Sequence, residues 1–308
     1  MGTRDPQSVG VVMTFKAAED EDLRAAIEGL RDRGKEVWPR VTWESGDAGR
    51  MASEVIDRGA EVVIACGGDG TLHEVAGAVL EVSPDKRPAM GGLGYGTGND
   101  FLRGLKDPAT EDSEGLEELI SRTPTKVDVG RLNDTAFINM ATAGAGAEIS
   151  TGASRGLKSV AGSGAYFFKA IPSAFDLQEV GMHVQAEGLD WEGDVAFAFV
   201  GNGPFSGGGW KFCPAADIDD GLLDVLVVPH MKLSEMARFG GELVASETAG
   251  DTGPFVYRQV EEVRIDVEEE LLWTLDGEPM RCDRCHFRVD ARALPFLLPR
   301  GASTSGDE

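Results

Sequence analysis

The chain has 308 residues, 42% of them hydrophobic, and its formal net charge is −24. This length suits two domains with sizeable cores, and the negative charge excludes a general nucleic-acid-binding surface, which needs a basic footprint. No apolar stretch reaches the roughly 20 residues that span a bilayer, and the start of the chain lacks the apolar region of a secretory signal. We therefore expect a cytoplasmic protein that does not bind nucleic acid.

The first 130 residues alternate strand and helix signals. Apolar runs of strand length occupy residues 9–15, 37–43, 62–66 and 89–93, and helical patterns lie between and after them, at residues 23–30, 47–58, 72–80 and 116–120. Such alternation predicts a parallel sheet covered by helices, with ligands bound beyond the carboxyl ends of the strands.

The sequence Gly-Gly-Asp-Gly-Thr at residues 67–71 stands between the third apolar run and a helical pattern. Glycine permits positive φ and a close backbone approach, and the N–H groups that begin a helix favour a phosphate. Asp69 would repel phosphates unless a cation or a transferable proton intervenes. We therefore predict a nucleotide site that performs phosphoryl chemistry with a metal; an ordinary turn is the alternative. The motif is neither a Walker A loop nor G-x-G-x-x-G.

A second glycine-rich turn, Gly-Thr-Gly-Asn-Asp at residues 96–100, follows the fourth apolar run. Both turns and Thr42 fall at predicted strand ends, so we expect them to meet in one crevice. There Thr97 and Asn99 would bind phosphate or ribose and Asp100 would reach a cation. A simple tight turn is the alternative.

From about residue 127 the chain changes to short strand signals separated by turn residues, at 126–131, 136–140, 195–200, 222–228, 263–267, 271–275 and 287–289. Only residues 159–175 look helical. This pattern predicts a mainly antiparallel sandwich or barrel, with a domain boundary near residue 130 and a frayed tail at 301–308.

Two acidic turns lie in this second half. Residues 214–224 contain four carboxylates, and hard cations such as Mg²⁺ prefer oxygen ligands; a solvated hairpin turn is the alternative. In Asp276-Gly277-Glu278, one carboxylate could accept a proton while the other orients water or metal. A plain Asp-Gly turn is the alternative there.

Three of the four cysteines have simple interpretations. Cys66 ends an apolar run, so we expect it to be inert packing. Cys282, Cys285 and His286 match the C-x-x-C-H pattern of covalent haem attachment, but the flanking residues alternate like a strand and no secretion signal precedes them. Zinc binding or a redox pair is a further alternative. We expect a hairpin turn between two strands.

Taken together, the motifs at 67–71, 96–100, 214–224 and 276–278 resemble, in order and rough spacing, the diacylglycerol-kinase catalytic-domain family. Residues 40–44, 46–48 and 137–142 are most similar to its bacterial YegS-type lipid kinases. The resemblance covers about residues 8 to 299. It implies a phosphofructokinase-like α/β nucleotide-binding domain (1–130, with about 293–300 returning to it), followed by a β-sandwich domain (131–292).

The resemblance also implies roles for individual residues. Glu278 would be the proton acceptor, with Asp276 and Asp69 close to the reaction. A bound Mg²⁺ would take the Asp220 side chain and the carbonyls of Asp217 and Leu222, and a second Mg²⁺ would accompany the nucleotide. The residues implied to bind ATP are Thr42, Gly67, Gly68, Asp69, Gly70, Thr71, Leu72, His73 and Thr97.

Two positions depart from the family pattern. Thr14-Phe15-Lys16 stands where most relatives have Asn near the end of the first strand, and Gly98 stands where alanine is common. A first-strand nucleotide contact is therefore left open.

The acceptor implied by the resemblance is a hydroxyl of a lipid, such as diacylglycerol or phosphatidylglycerol, reached at the membrane surface. A protein of charge −24 is repelled by an anionic membrane. A local basic and apolar segment could offset this, and the candidates are Arg155, Lys158, Tyr166, Phe167, Phe168 and Lys169. A buried helix is the alternative interpretation of that segment.

Three rival functions remain. NAD kinases also use Gly-Gly-Asp-Gly-Thr, although the three later motifs favour the lipid branch. A non-catalytic nucleotide or lipid sensor would not need Asp69, Asp220, Asp276 and Glu278, all of which are present. A metal or haem carrier through the cysteines is the third.

Overall fold

The structure is a computed structural model, and it describes residues 5–105, 115–144, 180–231, 254–299 and residue 302. The chain divides into two compact units. The first comprises residues up to Asp128 together with those from Ala291 onward, and the second is Val129–Asp290. Within the described residues, no helix is long and apolar enough to cross a membrane.

The first unit is an α/β structure whose described elements are β1 (Ser8–Met13), α1 (Phe15–Ala18), α2 (Glu21–Asp32), β2 (Glu36–Val41), α3 (Asp47–Asp57), β3 (Val62–Gly67), α4 (Asp69–Glu81), β4 (Ala89–Gly94), α5 (Asp100–Gly104) and α6 (Leu116–Ile120). The strands are parallel in the order β2-β1-β3-β4. Near the end of the chain, Phe296 pairs in parallel with Met90 of β4. The strand order reverses between β1 and β3, and such a switch point is where open α/β sheets bind ligands.

The predicted parallel sheet is confirmed. Every residue of β1 and β3 is buried, because helices cover both faces of a parallel sheet. The predicted ends of the first two strands are wrong by two residues. β1 stops at Met13 because Thr14 caps α1, accepting a hydrogen bond from the amide of Ala17 (3.4 Å).

The second unit is a β structure. Its first strand, β5, starts in the first unit, and its last, β15, ends there. The described strands are β5 (Thr125–Leu132), β6 (Thr135–Phe137), β7 (Met140–Gly144), β8 (Val180–Ala186), β9 (Leu189–Gly201), β10 (Phe205–Ser206), β11 (Trp210–Lys211), β12 (Leu223–Pro229), β13 (Val256–Val260), β14 (Glu262–Leu275) and β15 (Glu278–Phe296). β13, β12, β9, β7, β14 and β15 pair antiparallel in that order, and β8 pairs with both β9 and β14. The predicted antiparallel character is confirmed.

Several predicted boundaries in this half are wrong. The run at 136–140 is two strands, and the runs at 263–267 and 271–275 are one long strand, β14, with an irregularity between Asp266 and Leu271. β8, β10, β11 and β13 were not predicted. Cys282 and Cys285 lie inside β15, so the hairpin turn expected there is wrong; the turn is at Asp276-Gly277. The predicted helix at 159–175 and the basic, aromatic segment from Arg155 to Lys169 lie outside the described residues.

Candidate active site

The two glycine-rich turns of the first unit are in direct backbone contact. The amides of Tyr95 and Gly96 both donate to the carbonyl of Gly67, at 2.8 and 3.2 Å. A Cβ added to Gly96 would lie 2.5 Å from the Cα of Gly68, closer than real Cβ atoms approach. Glycine at 96 is therefore a packing requirement, and the expectation that the two turns meet is confirmed.

The start of α4 presents backbone N–H groups at this contact. Its N-cap is Gly68, and no side chain caps the helix. The first amides of a helix have no intrahelical acceptor, and the helix dipole favours an anion there. Leu72 is a different kind of residue: its side chain is fully buried and its amide donates to the Gly68 carbonyl (3.1 Å). The predicted role of Leu72 in nucleotide binding therefore rests on its backbone position. The side chains of Thr71 and His73, which were also predicted to bind the nucleotide, are half-buried.

Asp69 links the first glycine turn to the second. Its Oδ1 accepts a hydrogen bond from the amide of Phe101 (3.1 Å), near the start of α5. A Cβ on Gly98 would lie 3.2 Å from Asp69 Oδ2 and 3.3 Å from Asp100 Oδ2. Two carboxylates thus flank Gly98 beside the anion-favouring end of α4. That combination suits a divalent cation, which would offset the repulsion between the carboxylates and a phosphate.

The other predicted residues, those of the second turn and the one that follows β2, lie in different environments. Asn99 has a left-handed backbone (φ 50°), and its side chain closes its own loop: Oδ1 accepts from the Gly96 amide (2.9 Å) and Nδ2 donates to the Gly96 carbonyl (3.2 Å). The expected contact of Asn99 with phosphate or ribose is therefore not favoured. Thr97 is exposed in the same loop. Thr42 follows β2, where its amide donates to the carbonyl of Met13 (2.9 Å).

Two carboxylates that the sequence analysis did not single out hold the loop after β2. Asp47 accepts hydrogen bonds from the amides of Trp43 (2.8 Å) and Glu44 (3.1 Å) and pairs with Arg50 (2.7 Å). The hydrogen bond from Arg50, followed by those from the two amides, lowers the pKa of Asp47 to about 2. Glu74 of α4 accepts from the amides of Gly46, Ala48 and Gly49 at the start of α3. The Asp47 contacts are local, within four residues. The Glu74 contacts are not signalled by local spacing, because its partners lie 25 to 28 residues away.

Three large apolar side chains are exposed in the described part of the chain, and all lie at this edge of the sheet. Phe15 follows β1, Val41 ends β2 and Trp43 follows β2. Trp43 is 90% exposed even though its amide is fixed by Asp47. An indole displayed on a pinned loop is available to a ligand or a surface.

The predicted proton acceptor lies in the second unit, beside a two-residue turn. Asp276 and Gly277 both have positive φ, 51° and 100°, as a tight hairpin turn requires. The Asp276 carboxylate accepts hydrogen bonds from three consecutive amides, those of Ile138 (2.8 Å), Asn139 (3.0 Å) and Met140 (2.9 Å). Asp276 therefore fixes the turn to the start of β7. Glu278, the first residue of β15, is exposed.

The network continues from β7 to the end of β9. The carbonyl of Asn139 accepts from the amides of Asn202 (2.8 Å) and Gly203 (2.9 Å), and its Nδ2 donates to the Phe205 carbonyl (3.0 Å). Gly201 of β9 is in register with both Met140 and Asp224. The Glu278 turn and the acidic loop before β12 therefore lie at the same end of this sheet, separated by several strand spacings of about 4.8 Å each.

The acidic loop contains the predicted metal ligands. Asp220 Oδ1 accepts a hydrogen bond from the amide of Leu222 (2.9 Å). Burial, and secondarily the charge of Asp219, raises the pKa of Asp217. Burial also raises the pKa of Asp224 to about 7, although Tyr257 and Gln259 donate to it. Crowded carboxylates that favour their protonated forms are a donor set that a divalent cation would stabilise. Among the described residues, no group of three or more His, Cys, Asp or Glu side chains is arranged around one point, so a cation here would need backbone carbonyls as well.

The side chains of Cys66, Cys282 and Cys285 are buried and pack in the hydrophobic cores. Cys66 is fully buried at the end of β3, as predicted, and burial raises the pKa of its thiol. Cys282 and Cys285 are buried in the core of the second unit, and burial likewise raises the pKa of Cys285. Thiols held in their protonated form are poor metal ligands and nucleophiles.

Comparison with known proteins identifies relatives over nearly the whole chain. Residues 15–132 match the family model described as the diacylglycerol kinase catalytic domain, and residues 139–298 match the YegS C-terminal NAD kinase beta sandwich-like domain. A Pseudomonas putida protein named "Probable lipid kinase YegS-like" is 36% identical over 294 residues, 95% of each chain. A Chromohalobacter salexigens protein of the same name is 36% identical over 295 residues, 95% of this chain and 94% of the other.

A solved structure supports the fold. The crystal structure described as a diacylglycerol kinase from Bacillus anthracis str. Sterne aligns with a TM-score of 0.72 at 20% identity, covering 97% of this chain and 100% of that one. The expected β-sandwich second domain is confirmed by the second family model.

Proposed function

This chain is a kinase of the diacylglycerol kinase catalytic-domain family, in its YegS-like lipid kinase branch, and from that premise we propose that it transfers the γ-phosphate of ATP to a hydroxyl of a membrane lipid such as diacylglycerol or phosphatidylglycerol. The observation that carries the proposal is the contact of the two glycine turns beside Asp69 and Asp100. It offers backbone donors for phosphate and carboxylates for a cation.

The proposal assigns nucleotide binding to the first unit. Donors at the start of α4 would bind phosphate oxygens, with Thr42, Thr97 and the residues of the 67–73 segment around them. Asp69 and Asp100 would hold the magnesium that accompanies the nucleotide, and that ion would neutralise charge on the transferred group. A phosphofructokinase-like α/β fold for this unit, extending over 1–130 and about 293–300, is part of the same proposal.

The second unit would supply the proton acceptor and a further cation site. Glu278 would take the proton of the attacking lipid hydroxyl, since it is exposed and held on a short turn. Asp276 would position that turn through its three amide contacts. A second Mg²⁺ would bind the Asp220 side chain and the carbonyls of Asp217 and Leu222, where it would offset the crowded carboxylates.

We also propose that the protein is cytoplasmic and works at the bilayer surface. The exposed side chains of Phe15, Val41 and Trp43 support this, because they lie at the same sheet edge as the glycine turns and tryptophan is favoured at membrane interfaces. The net charge of −24 predicts that zwitterionic vesicles serve better than anionic ones.

The test is transfer of radiolabelled γ-phosphate from ATP and Mg²⁺ to a panel of lipids, with NAD as a soluble control. Glu278→Gln and Asp69→Asn should each lower transfer by about 10²–10⁴-fold, and Glu270→Gln, an exposed glutamate of β14, should leave it unchanged. Trp43→Ser should slow transfer to lipid in vesicles but not to a short-chain soluble lipid. Label on NAD, or on no acceptor, would contradict the proposal and favour an NAD kinase or a sensor.

A further inference from the structure

Lys16 is an exposed residue of α1 whose ammonium crosses the end of a neighbouring strand. Its Nζ donates to the carbonyl of Tyr95 (3.1 Å). Lys16 follows β1 and Tyr95 follows β4, and β3 lies between these two strands in the sheet. The lysine side chain must therefore span the carboxyl end of β3, where the first glycine turn begins.

The acceptor of this hydrogen bond is itself fixed. The amide of Tyr95 donates to the Gly67 carbonyl (2.8 Å), and its hydroxyl donates to Asp20 Oδ2 (2.7 Å). Asp20 is in turn held by the amides of Asp22 and Leu23 at the start of α2. A carbonyl anchored on both sides places the Lys16 ammonium at a defined position beside Gly67.

The Lys16 ammonium has hydrogen-bond donors that the Tyr95 carbonyl does not use. It carries three N–H donors, and the Tyr95 carbonyl occupies one of them. In the described part of the chain, the hydrogen-bond partner of the ammonium is this neutral carbonyl. Arg103, the other cation at the second turn, donates to the Gly98 carbonyl (3.1 Å) and lies 4.0 Å from Asp100 Oδ1, so its charge is directed at a carboxylate.

The surrounding charges call for such a cation. Asp69 and Asp100 already place negative charge beside Gly98, and a nucleoside triphosphate would add more. Lysine binds phosphate as a point charge. We propose that Lys16 contacts the β- or γ-phosphate of the bound nucleotide while the Tyr95 carbonyl holds its ammonium over the glycine turn. The inference rests on the proposed function, and it supplies the first-strand nucleotide contact that the missing asparagine left open.

Calorimetric titration with ATP, ADP, AMP and inorganic tripolyphosphate, all with Mg²⁺, tests the inference. Lys16→Met should weaken ATP and tripolyphosphate binding about tenfold, as loss of one charge-assisted hydrogen bond predicts. The loss should be smaller for ADP and absent for AMP, and it should shrink at high salt. Lys16→Arg should recover part of the affinity. The matched control is Lys86→Met, which removes an exposed lysine shortly before β4, at the opposite edge of the sheet.

The alternative is that the hydrogen bond from Lys16 to Tyr95 only stabilises the position of α1 against the second turn. In that case Lys16→Met would lower the melting temperature and weaken AMP as much as ATP, which would overturn the inference. Unchanged ATP affinity in Lys16→Met would also overturn it while leaving the proposed function standing. Failure of the unaltered protein to bind ATP would overturn both.

Discussion

The glycine turns of the first unit and the Asp276 turn of the second unit are both made from glycine and aspartate, but they are held together differently. In the first, backbone packs on backbone, and the missing side chains of Gly68 and Gly96 create the contact. In the second, one carboxylate gathers three amides from a distant segment. The first arrangement should therefore fail when atoms are added, and the second when atoms are removed.

Adding one methyl group to the first arrangement should have the largest effect, because it lowers both stability and activity. In Gly96→Ala the new Cβ would lie 2.5 Å from the Gly68 Cα and 2.7 Å from Asn99 Oδ1, so backbone must move. We expect a loss of about 1–3 kcal/mol in the free energy of unfolding and a loss of about 100-fold in transfer activity, because small displacements at a reaction site are amplified.

Gly77→Ala is the control for this prediction. It lies within α4 with open space around it, and the change should raise the free energy of unfolding by about 0.5–1 kcal/mol. Chemical denaturation and the phosphate-transfer assay check both variants. Normal activity in Gly96→Ala would show that the two turns need not touch.

Removing the Asp276 carboxylate should have the next largest effect. Asp276→Ala leaves the amides of residues 138–140 without their acceptor, which should lower the free energy of unfolding by about 2–3 kcal/mol. Asp283→Ala, an exposed carboxylate of the same hairpin, should change it by less than about 0.5 kcal/mol. Urea denaturation measures both. An Asp276→Ala protein as stable as the parent yet inactive would instead give Asp276 a direct part in the chemistry.

The loop after β2 is also held by a carboxylate, that of Asp47, and removing it should have a smaller effect on stability that depends on pH. The pKa of Asp47 is lowered to about 2 in the folded protein, against about 3.9 for an unperturbed aspartate. Its stabilisation is therefore fully present above pH about 4 and is lost as the pH falls toward 2.

Asp47→Asn should thus be less stable than the parent at pH 6, and the difference should vanish near pH 2. Denaturant titrations across that range measure it, with Asp57→Asn, at the exposed end of the same helix, as the control. A stability difference that stays constant with pH would mean that the Asp47 contacts do not depend on its charge.

Local patterns predicted much of this fold because their causes are local. The continuous apolar run at 62–66 predicts a strand because both faces of that strand are buried. Glycine at 67, 68 and 96 indicates a close backbone approach, because no other residue lacks a Cβ. The order of four such motifs was enough to indicate the kinase family, which the comparisons confirm. The acidic turn at 276–278 was likewise visible, but the hydrogen bonds from the amides of residues 138–140 to Asp276 were not.

The sequence by itself therefore determined the alternation of strands and helices, the positions of the glycine turns and the family. The tertiary structure alone decided which group each polar side chain meets. Asp276 binds amides up to 138 residues away, Lys16 reaches a carbonyl 79 residues away, and Asn99 turns back onto its own loop. The reason is physical: a turn's conformation depends on the residues in it, whereas a hydrogen-bond partner depends on strand order and register, which bring distant segments together.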